Sequence, residues 1–183
     1  MKRHELQNNL AMTVTLISGA MLFTTLFMGY AIYRTSADQW PPLGVGRVSL
    51  VLPTVSTLMI LVSSWFAYQV RLNVKAQSFK DAKTNLNITL GLGIGFMLVQ
   101  SLLWAYLKNV GLFASSGIFA SILYAFTWIH AAHVVCGLGT LVFLRLVMKP
   151  ERRHILQTTL NVEKFWHFLG IVWLVMYFGL FVF

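Results

Sequence analysis

The chain is short of charge. Only 10% of its 183 residues are Asp, Glu, Lys or Arg, against about 25% in an average soluble domain. Acid is scarcest of all: Glu5, Asp38, Asp81, Glu151 and Glu163 are the whole set, and only Glu163 touches the edge of an apolar run. No lysine or arginine lies mid-membrane, so the ionisable residue that an ion-coupled carrier places there is missing unless a histidine supplies it. One cysteine, Cys136, excludes an intrachain disulfide framework. No pair of broken helices suggests an inverted-repeat transporter. A glycine-rich phosphate loop, a nucleophile motif, CxxC and HExxH are also absent, so no familiar catalytic constellation is present. The net charge of +9 is read as loops facing anionic lipid rather than as a nucleic-acid surface, because 57% of the chain is hydrophobic.

What is present is apolar runs. Crossing a bilayer takes about 20 apolar residues, and five stretches are long enough: Leu10–Tyr33, Val48–Val70, Leu86–Leu107, Ile118–Val147 and Val162–Phe183. Each ends at charge or turn residues, TSADQWPPLGVG after the first and Met148–Lys149–Pro150 after the fourth. The alternating pattern of a membrane β-barrel is absent. The expectation is a single all-α membrane domain over residues 1–183, a polytopic bundle of five transmembrane helices. The apolar run behind MKRHELQNNL is too long for a signal peptide and is read as a retained first helix. An odd number of spans puts Lys2, Arg3, Arg71, Lys75, Lys80, Lys83, Arg145, Lys149, Arg152, Arg153 and Lys164 on one side. Only Arg34, Arg47 and Lys108 lie on the other, eleven positive residues against three. The positive-inside rule then expects a cytoplasmic N-terminus and an outer C-terminus.

The histidines are the residues that call for a reason. His4 and His154 fall in charged segments and read as solvated. His130 and His133 share one face of the fourth span, and His167 lies about 9 Å into the fifth at 1.5 Å per residue. A b-type haem needs two axial ligands from facing helices. His133, about 21 Å from the nearer end of its span, sits at a different expected depth from His167. A free-standing b-type cytochrome using His130 or His133 with His167 is therefore the runner-up, and an unrelated scaffold or transporter the third reading. Cys136, one turn from His133, is a weak metal candidate. The blander reading has the histidines hydrogen-bonding between helices or lining a crevice. Ser63, Ser64, Gln100, Thr127 and the Gly91/Gly93/Gly95 series fit close helix packing, with Gly91 and Gly95 forming GxxxG. Trp104, Tyr106 and Trp166 suit interfacial belts.

The fifth span, FWHFLGIVWLVMYFGLFVF, resembles the last helix of subunit III of haem–copper respiratory oxidases, whose signature is W-H-F-x-D-x-x-W; Trp166, His167, Phe168 and Trp173 match. GIFASILYAFTWIHAAHVVCG resembles the family's D-G-x-Y-G-S-x-F-F-x-x-T-G-x-H-G-x-H-V-x-x-G through Gly117, Ser121, Thr127, His130, His133, Val134 and Gly137. WPPLGVGRVSLVLPTVSTLMILVSS looks like the family's W-P-P loop and the helix after it, through Trp40, Pro41, Pro42, Pro53, Thr57, Ser63 and Ser64. Gln100 aligns with a family glutamine. The matches cover four of five spans in order. Five spans resemble the short form of the subunit, found in bacterial quinol oxidases and some bacterial cytochrome c oxidases. Four carboxylates of the family pattern are replaced, by Gly19, Leu103, Ser116 and Gly170.

The resemblance implies a non-catalytic accessory subunit in the bacterial inner membrane, partnered by catalytic subunit I and other oxidase subunits. It implies no catalytic, cofactor or metal residues in this chain, haem and copper in the partners, and bound phospholipid. Without the carboxylates, a scaffold and lipid-holding role is expected rather than a proton relay. The structural and crevice candidates are Pro53, Ser63, Ser64, Gln100, Thr127, His130, His133, Trp166, His167 and Trp173, with His130 and His133 expected to hydrogen-bond between helices or subunits.

Overall fold

A computed structural model describes residues 2–37, 49–149 and 154–182. Five long helices account for nearly all of them: α1 Lys2–Ser36, α2 Val51–Lys75, α3 Phe79–Asn109, α4 Ile118–Val147 and α5 Ile155–Met176, the last continued by a π-helical segment Tyr177–Val182. No strand occurs among the described residues, and all five helices are long and apolar enough to cross a membrane. The proposed W-P-P match at Trp40, Pro41 and Pro42 lies outside the described residues, as do Arg47, Pro150, Arg152 and Arg153.

The fourth span falls where the hydropathy put it. The others run past their apolar windows: α1 begins at Lys2, α2 reaches Lys75, α3 starts at Phe79, and α5 starts at Ile155 rather than Val162. Charged and polar residues such as Lys80, Lys83, Gln157 and Lys164 are adequate helix formers. An apolar run therefore measures the buried or lipid-facing part of a helix and not its hydrogen-bonded length. At 31 residues, α3 is about 46 Å long by its rise per residue, well beyond the roughly 30 Å hydrocarbon layer.

Two turns of the same construction end α2 and α3. After α3, Gly111 N–H bonds Lys108 O and Leu112 N–H bonds Leu107 O, with Gly111 at φ +79°. After α2, Gln77 N–H bonds Val74 O and Ser78 N–H bonds Asn73 O, with Gln77 at φ +61°. This is the Schellman closure, which satisfies the last orphan carbonyls and needs a left-handed residue. Glycine adopts that conformation freely; glutamine pays for its Cβ. Gln77→Gly should therefore stabilise the α2–α3 hairpin by about 1 kcal/mol, seen as a higher melting temperature in detergent. An unchanged or lower value would contradict the strain assigned to Gln77.

α2 and α3 form an antiparallel hairpin with the most extensive pairing in the bundle. α5 packs against α2 on one side and α4 on the other, and α4 also meets α3. α1 leans on this group from the edge. Gly19 lies against Phe168 of α5, Phe23 and Phe27 meet rings of α4, and the Tyr30 hydroxyl donates to Gly179 O at 2.6 Å. Most of α1's surface stays outside, with Leu10, Ile17, Met21 and Met28 each more than half exposed.

Candidate functional site

Glu163, Trp166 and Trp173 of α5, with Tyr177 just after it, pair with α2 along much of its length. Arg71 Nε meets Glu163 Oε2 at 2.7 Å. Trp166 Nε1–H donates to Ser63 Oγ at 3.0 Å, and Trp173 Nε1–H donates to Thr57 Oγ1 at 3.0 Å. The hydroxyls of Thr54 and Tyr177 are 2.8 Å apart. Two of the partners are in turn anchored: Ser63 donates to Thr89 O of α3 at 3.3 Å, and Thr57 donates to Pro53 O at 2.8 Å. Pro53, in the first turn of α2, lacks an N–H where the helix needs none. Because α2 and α5 are antiparallel, residue numbers fall along one helix as they rise along the other. The result is a ladder of polar rungs joining them.

Trp166 is the rung with the widest reach. Its ring is 1% exposed and rests against two glycines on other helices. A Cβ placed on Gly93 of α3 would stand 2.8 Å from Trp166 Cη2, and one on Gly137 of α4 would stand 3.1 Å from Cζ3. One indole from α5 thus touches α2, α3 and α4. This corrects the interfacial-belt expectation for Trp166: its N–H finds a hydroxyl inside the bundle and not at a lipid headgroup. The close-packing glycines of α3 are Gly93 and Gly95, and Gly91 and Gly95 do not act as a GxxxG pair. Gly91 has nothing within 4 Å, whereas a Cβ on Gly95 would collide with Met59 Cε. Gly170, too, is a close approach, 3.2 Å from Ser64 Oγ measured from the Cβ it lacks. Trp104 leaves the belt reading in part, since its Nε1–H donates to Thr127 Oγ1 at 3.1 Å and ties α3 to α4.

The histidines separate. His130 is 1% exposed and boxed in by Phe23, Phe96 and Trp173, whose ring centroids lie 6.2, 5.9 and 5.5 Å away on three different helices. It joins helices through ring contacts, and neither ring nitrogen has a hydrogen-bond partner among the described residues. His133 is partly exposed; its Nδ1–H donates to Ile129 O of its own helix at 2.8 Å, so this bond is local and crosses no helix boundary. His167 turns toward Glu163, 3.5 Å from its carboxylate, on the α2 side of α5.

His133 and His167 do not lie at the different depths expected of them. α5 begins at Ile155, which puts His167 about 18 Å along its helix, close to the level estimated for His133. What separates the histidines is direction: His130 faces Trp173, and His167 faces Glu163. Aromatic rings occupy the space a haem plane would need beside His130, so the b-type cytochrome reading is not carried forward. Among the described residues no three His, Cys, Asp or Glu side chains converge, and Cys136 is a free, exposed thiol.

Arg71 and Glu163 are what the sequence reading missed. Both were placed at or outside a span boundary, yet the Glu163 side chain is only 8% exposed and sits two turns inside α5. The Arg71 guanidinium also lies over the Tyr68 ring at 4.7 Å. The available signal was that Glu163 precedes His167 by one turn at the start of the fifth span.

The chain matches the cytochrome c oxidase subunit III family over residues 4–183. It is 29% identical over 173 residues to cytochrome c oxidase subunit 3 of Thermostichus vulcanus, covering 92% of this chain and 83% of that protein. Against cytochrome c oxidase subunit 3 of Synechocystis sp. it is 28% identical over 167 residues, covering 88% and 70%. Against a probable cytochrome c oxidase subunit 3 of Nocardia farcinica it is 29% identical over 164 residues, covering 88% and 80%.

Proposed function

The chain belongs to the cytochrome c oxidase subunit III family, and from that premise we propose that it is a rigid brace, holding lipid and supporting the assembly and stability of the catalytic subunit. Members of the family work with catalytic subunit I and the other oxidase subunits in the membrane, and the haem and copper centres reside in those partners. This chain is a non-catalytic member of such a complex.

One observation supports the brace reading above the rest. Glu163, Trp166 and Trp173 of α5 find their partners inside the bundle, leaving outer faces such as Ile171, Val175 and Phe178 apolar and exposed. Polar groups held inside hydrocarbon fix helix register, while apolar outer faces suit acyl chains and neighbouring subunits alike. Gly19, Leu103, Ser116 and Gly170 carry no titratable group where the family pattern has carboxylates, which favours bracing over proton transfer. The eleven-to-three distribution of positive residues supports a cytoplasmic N-terminus. The cyanobacterial and actinobacterial relatives support a bacterial inner membrane.

The test is a strain lacking this chain, complemented with the wild-type copy or left empty. Membranes are solubilised in mild detergent and run on a blue-native gel, with phospholipid phosphorus measured per haem. The brace reading expects less intact oxidase and less retained lipid in the empty strain. Equal complex and equal lipid would overturn it.

A further inference from the structure

Five buried side-chain atoms have no hydrogen-bond partner among the described residues: Ser56 Oγ, both amide atoms of Gln100, and both ring nitrogens of His130. In hydrocarbon such atoms are costly, and native proteins satisfy nearly all of them with protein or ordered water. Ser56 has a remedy within its own helix, since a helical hydroxyl can return its proton to the carbonyl one turn back, as Thr57, Thr89 and Thr127 do here. Gln100 and His130 do not. The box formed by Phe23, Phe96 and Trp173 fixes the His130 ring away from the backbone bond that His133 makes.

The two unpartnered residues lie on α3 and α4, helices that share a seam. Phe96, Gln100 and Trp104 are four apart and share one face of α3. Phe96 packs on His130, and Trp104 donates to Thr127, one turn before His130 on α4. These two contacts bracket Gln100 on the face of α3 that meets α4, in the stretch of seam that also carries His130. Both side chains are 1% exposed.

Their needs are complementary to water. The amide offers two donors and an acceptor, and a neutral imidazole offers one of each. A buried water makes about three hydrogen bonds and serves as donor and acceptor together. We propose that Gln100 and His130 together hold one ordered water molecule between α3 and α4, inside the bundle. The water joins the two helices at the level where the aromatic box also brings in α1 and α5, and it explains polar residues at positions where leucine and phenylalanine would otherwise pack.

The test is a high-resolution cryo-EM map of the intact wild-type oxidase, repeated with Gln100→Met. The wild-type map should contain a discrete peak about 3 Å from both the Gln100 amide and a His130 ring nitrogen. The Gln100→Met map should lose that peak with the helices in place. Three results would overturn the proposal: a direct Gln100–His130 hydrogen bond with no peak, a partner-subunit side chain or lipid atom filling the position, or a peak that persists in Gln100→Met. Because the wild-type map decides the point, a poorly assembling variant does not leave it open. The result is also independent of the bracing role.

Discussion

Trp166→Ala should cost about 3 kcal/mol of stability and release the complex's grip on this chain. Large-to-small aromatic changes in a packed interior cost roughly 3–5 kcal/mol. The lower figure applies because lipid is as apolar as the side chain removed, so packing and hydrogen bonding carry the loss rather than transfer from water. The truncation leaves a gap facing Gly93 and Gly137, neither of which can fill it, and deprives Ser63 Oγ of the Nε1–H donor at 3.0 Å. Trp166→Phe keeps most of the ring and should lose about 1 kcal/mol for the bond. Thermal unfolding of the purified complex, followed by dissociation of this chain on a native gel, orders the variants as wild type, then Phe, then Ala. If Ala melted with the wild type, the ring would not be the wedge among four helices that its contacts describe.

Arg71→Leu should be as damaging, and a second substitution should repair it. Removing one member of a buried ion pair leaves the other uncompensated and costs about 3–5 kcal/mol, whereas replacing both with apolar residues is often neutral. Glu163 is the more buried partner, 8% exposed against 28% for Arg71, so the heavier loss comes from stranding the carboxylate. His167, 3.5 Å from that carboxylate, can take over part of the compensation when protonated. The expected order of melting temperatures is Arg71→Leu lowest, Glu163→Gln intermediate, and Arg71→Leu with Glu163→Leu close to wild type. A double variant as unstable as Arg71→Leu alone would mean that the residues do not act as a pair.

The contrast between Trp166 and Glu163 shows what was legible in the sequence. Hydropathy finds five helices because each must satisfy its own backbone in lipid, and that requirement writes a long apolar run. Ile118–Val147 is recovered to the residue, since charge and turn residues abut it at both ends. The start of α5 is missed by two turns because Gln157, Thr158, Thr159 and Asn161 interrupt the apolar pattern without interrupting the backbone. Glu163 therefore looked peripheral, and with it the ion pair. Trp166 stood out, but not its environment: an indole in the headgroup region and an indole against two glycines leave the same letter in the chain. The motif W-H-F also gave no sign that Trp166 and His167 point to different neighbours, one to Ser63 and the other to Glu163. Facing direction is set by which helices pack together, which a single sequence does not encode locally.

The central claim is that this chain braces an oxidase whose redox centres lie elsewhere. The most direct measurement is affinity purification of the tagged chain from native membranes in mild detergent, with reduced-minus-oxidised visible spectra before and after the chain is stripped from its partners. The account predicts a haem spectrum in the intact preparation that stays entirely with the partners. A haem spectrum that remains with the isolated chain, or no haem at either stage, would contradict it.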